Sequence, residues 1–134
     1  MILDIVLIVG MLTAIALAGW WWTRRNGRLV TTEESLAPGT RDVIGAPDEQ
    51  AAILLFTTPT CGNCEAARGV LRTVTQRDPS VSVVEVDVAS HPDVARDHRV
   101  LRAPTVLVVD HRDGIRARVS GVPDLEELRQ ALPA

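Results

Sequence analysis

The stretch that most restricts how this chain can fold is residues 53–67, Ile53-Leu54-Leu55-Phe56-Thr57-Thr58-Pro59-Thr60-Cys61-Gly62-Asn63-Cys64-Glu65-Ala66-Ala67. It reads as a buried strand, a short turn, and two cysteines at the opening of a helix. Cys61 and Cys64 are the only cysteines in the chain. A C-x-x-C pair inside a strand-helix-strand pattern points to thiol-disulfide chemistry far more specifically than the spacing alone. The attacking species in that chemistry is a thiolate, and a helix N-terminus offers it unpaired N–H groups and a partial positive charge. Cys61, at the exposed start, is the expected nucleophile. Cys64 lies one helical turn on and can close a short ring with it across the spacer Gly62-Asn63, which makes it the resolving partner.

Two other uses of a cysteine pair are weaker. A structural zinc site wants four ligands, and no second pair exists; His91, His98 and His111 are scattered at spacings that fit no common ligand pattern, so no metal is expected. Inert core thiols have no reason to sit three apart where a helix begins.

A chain of 134 residues holds one domain at most, plus whatever lies outside it. The formal charge of -3 gives no electrostatic footprint for nucleic acid. All 14 basic residues are Arg, which removes any catalytic-lysine reading. Three of the four aromatic residues are the consecutive Trp20-Trp21-Trp22, so the domain core must be built from Val, Leu, Ile and Ala.

Ile5 to Trp22 carries no charge, and as a helix it spans roughly 27 Å, close to the thickness of bilayer hydrocarbon. The Trp triplet suits an interfacial anchor, and Arg24, Arg25 and Arg28 follow at once. A cleaved signal peptide is the rival, with Ala16-Leu17-Ala18 as a small-x-small site, but positive charge is missing ahead of the apolar run. The expectation is therefore an uncleaved anchor over 1–25. The positive-inside rule then places the Arg-bearing flank and the C-terminal domain on the cytoplasmic side of the cell membrane, a reducing compartment where such a pair is usually catalytic. Residues 26–50 have linker composition, with Gly27, Pro38, Gly39, Gly45 and Pro47 and a short strand at Asp42-Val43-Ile44. A flexible linker of about 25 residues spans roughly 25 to 30 Å and lets the domain range beneath the membrane.

The domain is expected over 51–134. Ala51 to Thr57 is continuously apolar, which suggests a strand buried on both faces. Gly62 to Gln76 reads as a helix with Ala66, Val70, Leu71 and Val74 on its apolar stripe and Arg68, Arg72, Gln76 and Arg77 mostly opposite. Val81 to Val88 is a second strand, completing a parallel unit. A short helix over Asp93–Arg99 follows the Ser90-His91-Pro92 start. Pro104–Val109 and Ile115–Val119 pair through an Asp-Gly turn. A final helix opens at Pro123, with Leu125, Leu128 and Leu132 on one face. The order is a β-α-β unit followed by a β-β-α unit.

That order, with Cys61-Gly62-Asn63-Cys64 after the first strand and Arg102-Ala103-Pro104-Thr105 opening the third, closely resembles the thioredoxin family over about residues 51 to 132. The resemblance implies an α/β fold, a three-layer α/β/α sandwich with a reduced N-terminal β-α unit, here preceded by one transmembrane helix. It implies a cis Ala103-Pro104 bond facing the cysteines, with Ala103 pairing to bound substrate through its backbone. Thr60 stands where the family usually has tryptophan, so one wall of the substrate groove differs, and Asn63 replaces the usual proline between the cysteines. Leu55 and Val83 occupy the places of a buried Asp and a Lys that move the resolving cysteine's proton in many thioredoxins. Glu65 is a poor substitute, since a first-turn carboxylate is more simply explained as complementing the helix dipole.

The reading is a membrane-tethered protein disulfide oxidoreductase. Cys61 attacks a substrate disulfide, a mixed disulfide forms, and Cys64 displaces the reduced product. No cofactor is required; the partners are a disulfide-containing protein, an electron-donor thiol system and the membrane. Two alternatives stand beside it: the same chemistry outside the cell membrane, or a redox-inactive binding module that docks a membrane partner, since fold alone does not establish function.

Overall fold

The computed structural model describes residues 1–25, 27–47 and 50–133. Asn26, Asp48, Glu49 and Ala134, within the bounds expected for linker and domain, lie outside the described residues. The elements are α1 (Ile2–Arg25), β1 (Leu29–Ser35), α2 (Thr40–Ile44), β2 (Ala52–Thr57), α3 (Cys64–Arg77), β3 (Ser82–Asp87), α4 (Pro92–Asp97), β4 (Thr105–Val109), β5 (Gly114–Ser120) and α5 (Leu125–Ala131).

All six residues of β2 are buried, as its unbroken apolar run requires. Ile53 and Leu55 pack on one side with Ala67, Leu71 and Val74 of α3 and Leu128 of α5. Ala52, Leu54 and Phe56 pack on the other with Val94 and Ala95 of α4. The period of two along a strand therefore builds two cores and the expected three-layer α/β/α sandwich. The sheet order is β1-β5-β4-β2-β3, with β2 parallel to β3 and antiparallel to β4. The β4/β5 ladder slips between Val108 and Val109, leaving Arg116 as an extra residue. That bulge turns the strand over, so Ala117 and Val119 join the α3 side while Ile115 joins the α4 side.

Along α3 the buried positions are Cys64, Ala67, Leu71 and Val74, at spacings of three and four. Ala66 is exposed, contrary to the expected stripe, because the helical period puts it off the arc that Cys64, Ala67, Leu71 and Val74 share. On α5, Leu128 is fully buried and Leu125 and Leu132 pack against the same cluster, as expected. Asp124 caps this helix, accepting from the N–H groups of Glu126 and Glu127 at 2.9 and 3.1 Å.

The stretch expected as linker is largely structured. Leu29–Ser35 is an edge strand antiparallel to β5, with Leu29 opposite Val119 and Ser35 opposite Gly114. Only Leu29 and Thr32 in it are even half-buried, so it lacks the apolar alternation that marks a strand in sequence. Asp42-Val43-Ile44 is helical, not extended: it forms the end of α2, bracketed by Gly39 and Gly45 in left-handed conformation. Arg41 holds this helix down. Its guanidinium is buried, donates to the Asp110 carbonyl at 2.7 Å and pairs with the Asp113 carboxylate.

Helix α1 is the one helix among the described residues long and apolar enough to cross a membrane, with a mean hydropathy of 2.4 and residues Ile2–Arg24 exposed. A signal sequence near an N-terminus has the same length and composition. Its hydroxyls are satisfied within the helix: Thr13 donates to the Val9 carbonyl at 2.8 Å and Thr23 to Gly19 at 2.7 Å. The Arg24 guanidinium lies 3.9 Å over the Trp20 ring.

His98 is 3% exposed, and its Nε2 lies 3.3 Å from Thr40 Oγ1, joining the end of α4 to α2. Burial, then the nearby Arg118 guanidinium, hold this imidazole below its ordinary 6.5, against the opposing pull of Asp97 and Glu34. A depressed histidine favours the fold while neutral. Its contribution is complete above about pH 6.5 and is lost as the pH falls through the lower folded value. Urea midpoints of the chain in detergent should therefore fall between pH 7.5 and pH 5 by more than those of His98→Gln; equal slopes in the two proteins would remove His98 from the account.

Candidate active site

Strand register gathers the candidate residues. Phe56 pairs with Thr105 across the antiparallel β2/β4 ladder, so the chain leaving β2 toward Cys61 and the chain entering β4 from Pro104 lie at one end of the sheet. Thr105 also pairs with Ser120, which brings Gly121 and Val122 to that end. Parallel pairing of Thr57 with Asp87 adds the loop after β3. The Ala103–Pro104 bond is cis, as the resemblance implied. Pro104 is buried, Ala103 half-buried, and the Pro104 carbonyl accepts the Gly121 N–H at 2.8 Å.

Cys61 and Cys64 form a disulfide with their Cα atoms 5.5 Å apart. The turn that carries them is closed by the Cys61 N–H donating to the Thr58 carbonyl at 3.1 Å. Thr60, Gly62 and Asn63 are exposed around it. Asn63 is the N-cap residue of α3 but makes no side-chain cap, so the first N–H groups of the helix are left facing the cysteine loop. The two cysteines differ sharply: Cys64 is 1% exposed, whereas Cys61 is partly open to solvent. Of the two, Cys61 is the one open to solvent. Once reduced, that sulfur sits beside a helix N-terminus, the setting that favours a thiolate.

Beside the cysteines runs an ion-pair chain that sequence reading did not assemble. Arg68, one turn after Cys64, donates to Glu85 at 2.9 and 2.5 Å and to Glu65 at 3.1 Å. Arg72 donates to Glu65 at 3.2 Å, and Thr57 Oγ1 donates to Glu85 at 3.2 Å. The Arg68 hydrogen bond, with Arg72 behind it, holds Glu65 below the usual carboxylate range, and Arg68 does the same for Glu85. The Glu65/Arg68 spacing was visible in the chain; Glu85 joins them only because β3 pairs in parallel with β2, placing it opposite Leu55. Leu55 is part of the core and Val83 is exposed, so neither place expected for a proton-moving pair carries an ionisable group. Among the described residues, no group of three or more His, Cys, Asp or Glu side chains is placed to hold a metal ion.

The family model described as thioredoxin matches residues 41–134 of this chain. The chain belongs to the thioredoxin family. This thioredoxin-family protein is 31% identical over 81 residues to a thioredoxin of Methanocaldococcus jannaschii, a match covering 60% of this chain and 89% of that one. It is 28% identical over 83 residues to the NADPH-dependent thioredoxin reductase 3 of Arabidopsis thaliana, covering 61% of this chain but only 16% of the reductase. Its fold is shared with mitochondrial thioredoxin 3 of Saccharomyces cerevisiae in oxidised form, at a TM-score of 0.58 and 24% identity over 69% of this chain and 83% of that one. A mutant thioredoxin from Halobacterium salinarum gives 0.59 and 18% over 73% and 84%. The architecture is thus a thioredoxin-like sandwich preceded by one long apolar helix, with a closely spaced cysteine pair consistent with a redox-active site.

Because Glu65 is tied to two arginines, it is badly placed to take a proton from Cys64. Glu65→Gln should leave the rate of thiol-disulfide exchange at the Cys61–Cys64 pair within about twofold of the parent, as for loss of an exposed ion pair. A general base would contribute at least about a hundredfold. A drop of that size in stopped-flow release of product would reinstate Glu65 as the base.

Proposed function

We propose that this protein is a membrane-tethered thiol-disulfide oxidoreductase that reduces protein disulfides through a mixed-disulfide intermediate. The observation that carries the proposal is the asymmetry of the pair at the start of α3, with Cys61 reachable and Cys64 buried behind it, at the sheet end that also holds cis Ala103–Pro104. The structure holds the pair as a disulfide, the product half of such a cycle.

In the forward direction the Cys61 thiolate attacks one sulfur of the substrate disulfide. A Cys61–substrate bond forms, and the other substrate sulfur leaves as a thiolate and takes up a proton. Cys64 then loses its proton and attacks Cys61, closing the Cys61–Cys64 disulfide and releasing the second substrate thiol. Two electrons pass from the pair to the substrate. A dithiol donor of the cell restores them by the same exchange in reverse. Ala103 offers backbone pairing to the substrate chain beside Pro104, and Thr60, smaller than the family's usual tryptophan, leaves the groove more open on that side. Helix α1 serves as the membrane anchor, and its Arg-bearing end favours placing the domain on the cytoplasmic face.

Trapping tests the order of attack. Full-length Cys64→Ser, reduced in detergent and given oxidised glutathione, should accumulate a mixed disulfide at Cys61 visible by intact mass, while Cys61→Ser should accumulate about a hundredfold less, in proportion to loss of the accessible thiolate. Equal adducts on both variants, or none on either, would sink the enzyme reading in favour of a binding module. Equilibration of the native pair with glutathione should give a potential near the reducing end, about -270 mV, and one near about -120 mV would make it an oxidant.

A further inference from the structure

The anchor joins the domain at the same sheet end as the cysteines, and the joint is short. Only residues 26–28 separate α1 from β1. Four Cα–Cα steps at about 3.5 Å reach at most about 14 Å, so Leu29 cannot lie farther than that from the end of the apolar helix. Leu29 pairs with Val119, next to Ser120, which itself pairs with Thr105. From β1 across β5 and β4 to β2 is three strand spacings, about 14 Å, along that one end.

The joint is also built into the loop that touches the cis-proline. The Gly27 N–H donates to the Ser120 carbonyl at 3.0 Å, and the next residue, Gly121, donates to the Pro104 carbonyl at 2.8 Å. The Leu29 N–H donates to Glu127 Oε2 of α5 at 3.2 Å. Gly27 has φ 84°, and a Cβ there would come within 2.5 Å of the Val122 carbonyl oxygen, so the approach admits glycine alone. These contacts replace the expected freely ranging linker. The opposite sheet end, at Ser35, Ala52 and Gly114, lies about 20 Å farther along the strands.

We infer that the short joint holds the Cys61–Cys64 end of the domain against the bilayer surface, so that the disulfide it exchanges with is carried by another membrane-bound chain, close to the lipid headgroups. The inference rests on the tethered-oxidoreductase reading above and narrows its substrate class. A bulky soluble protein has no room to approach an end that faces lipid, whereas a cystine in the interfacial layer meets it by diffusion in the plane. The effective concentration within that thin layer adds to the preference.

The full chain, reduced and reconstituted in phosphatidylcholine vesicles, would be given one disulfide-bonded peptide in two lipid-anchored forms. In one the disulfide sits next to the anchor; in the other a stiff polyproline spacer raises it about 40 Å. The surface form should be reduced at least about tenfold faster in single turnover. A flexible Gly-Ser insert of about 20 residues between Arg25 and Asn26 should abolish the difference by raising the rate on the distant form. Equal rates with the native chain, or a preference that survives the insert, would overturn the inference. A small aromatic disulfide separates the two levels of argument. If the vesicles reduce it in a Cys61-dependent way but show no distance preference, only the membrane-facing geometry falls. If they reduce nothing, the oxidoreductase reading fails and this one with it.

Discussion

Backbone pairing along both edges of β2 is the constraint from which the rest of the domain follows. With β3 parallel on one side and β4 antiparallel on the other, the C-terminal ends of β2 and β3 meet the N-terminal end of β4. The register keeps Ile53 and Leu55 against α3 while Leu54 and Phe56 face α4, and a slip of one residue would exchange the two sets. The same register that satisfies the two cores therefore delivers the cysteine loop and the cis-proline to a common place. Function here is a consequence of packing at a distance from it.

At that place the electrostatics come from the helix more than from side chains. Two carboxylates on α3 and β3 near that end, Glu65 and Glu85, are both held by Arg68. Their charge is matched locally, which limits the rise they would otherwise cause in a neighbouring thiol's pKa. The uncapped start of α3 is then the feature that distinguishes Cys61 from Cys64, together with burial.

The edge strand β1 ties the chain that leaves the long apolar helix to the sheet. Leu29 is fixed opposite Val119, so the chain leaving α1 meets the sheet at the end that carries the cysteine loop. Arg41 secures the remainder of that segment by reaching the turn between β4 and β5, where Asp110 accepts the N–H groups of Arg112 and Gly114 at 2.8 and 2.9 Å. Burial opposes ionisation of Asp110, but those bonds and the Arg116 guanidinium outweigh it and hold the carboxyl below its ordinary range.

Local chemistry was legible in the residues themselves. The unbroken run from Ala52 to Thr57, the C-x-x-C spacing, the Asp-Gly turn at Asp113-Gly114 and the leucines of α5 each carry their signal within a few positions, because burial on two faces, ring closure, turn geometry and helical period are short-range demands. What the chain could not display were relations between distant residues. β1 looks like linker because an edge strand buries almost nothing, α2 looks extended because its helix depends on Arg41 reaching a turn some seventy residues away, and Glu85 looks unrelated to Cys64 until parallel pairing sets it beside Arg68. Hydrogen bonds between strands and a guanidinium across the fold are decided only when the whole sheet assembles, and it is that assembly, not any motif, that joins the long apolar helix to the sheet end carrying the cysteine pair.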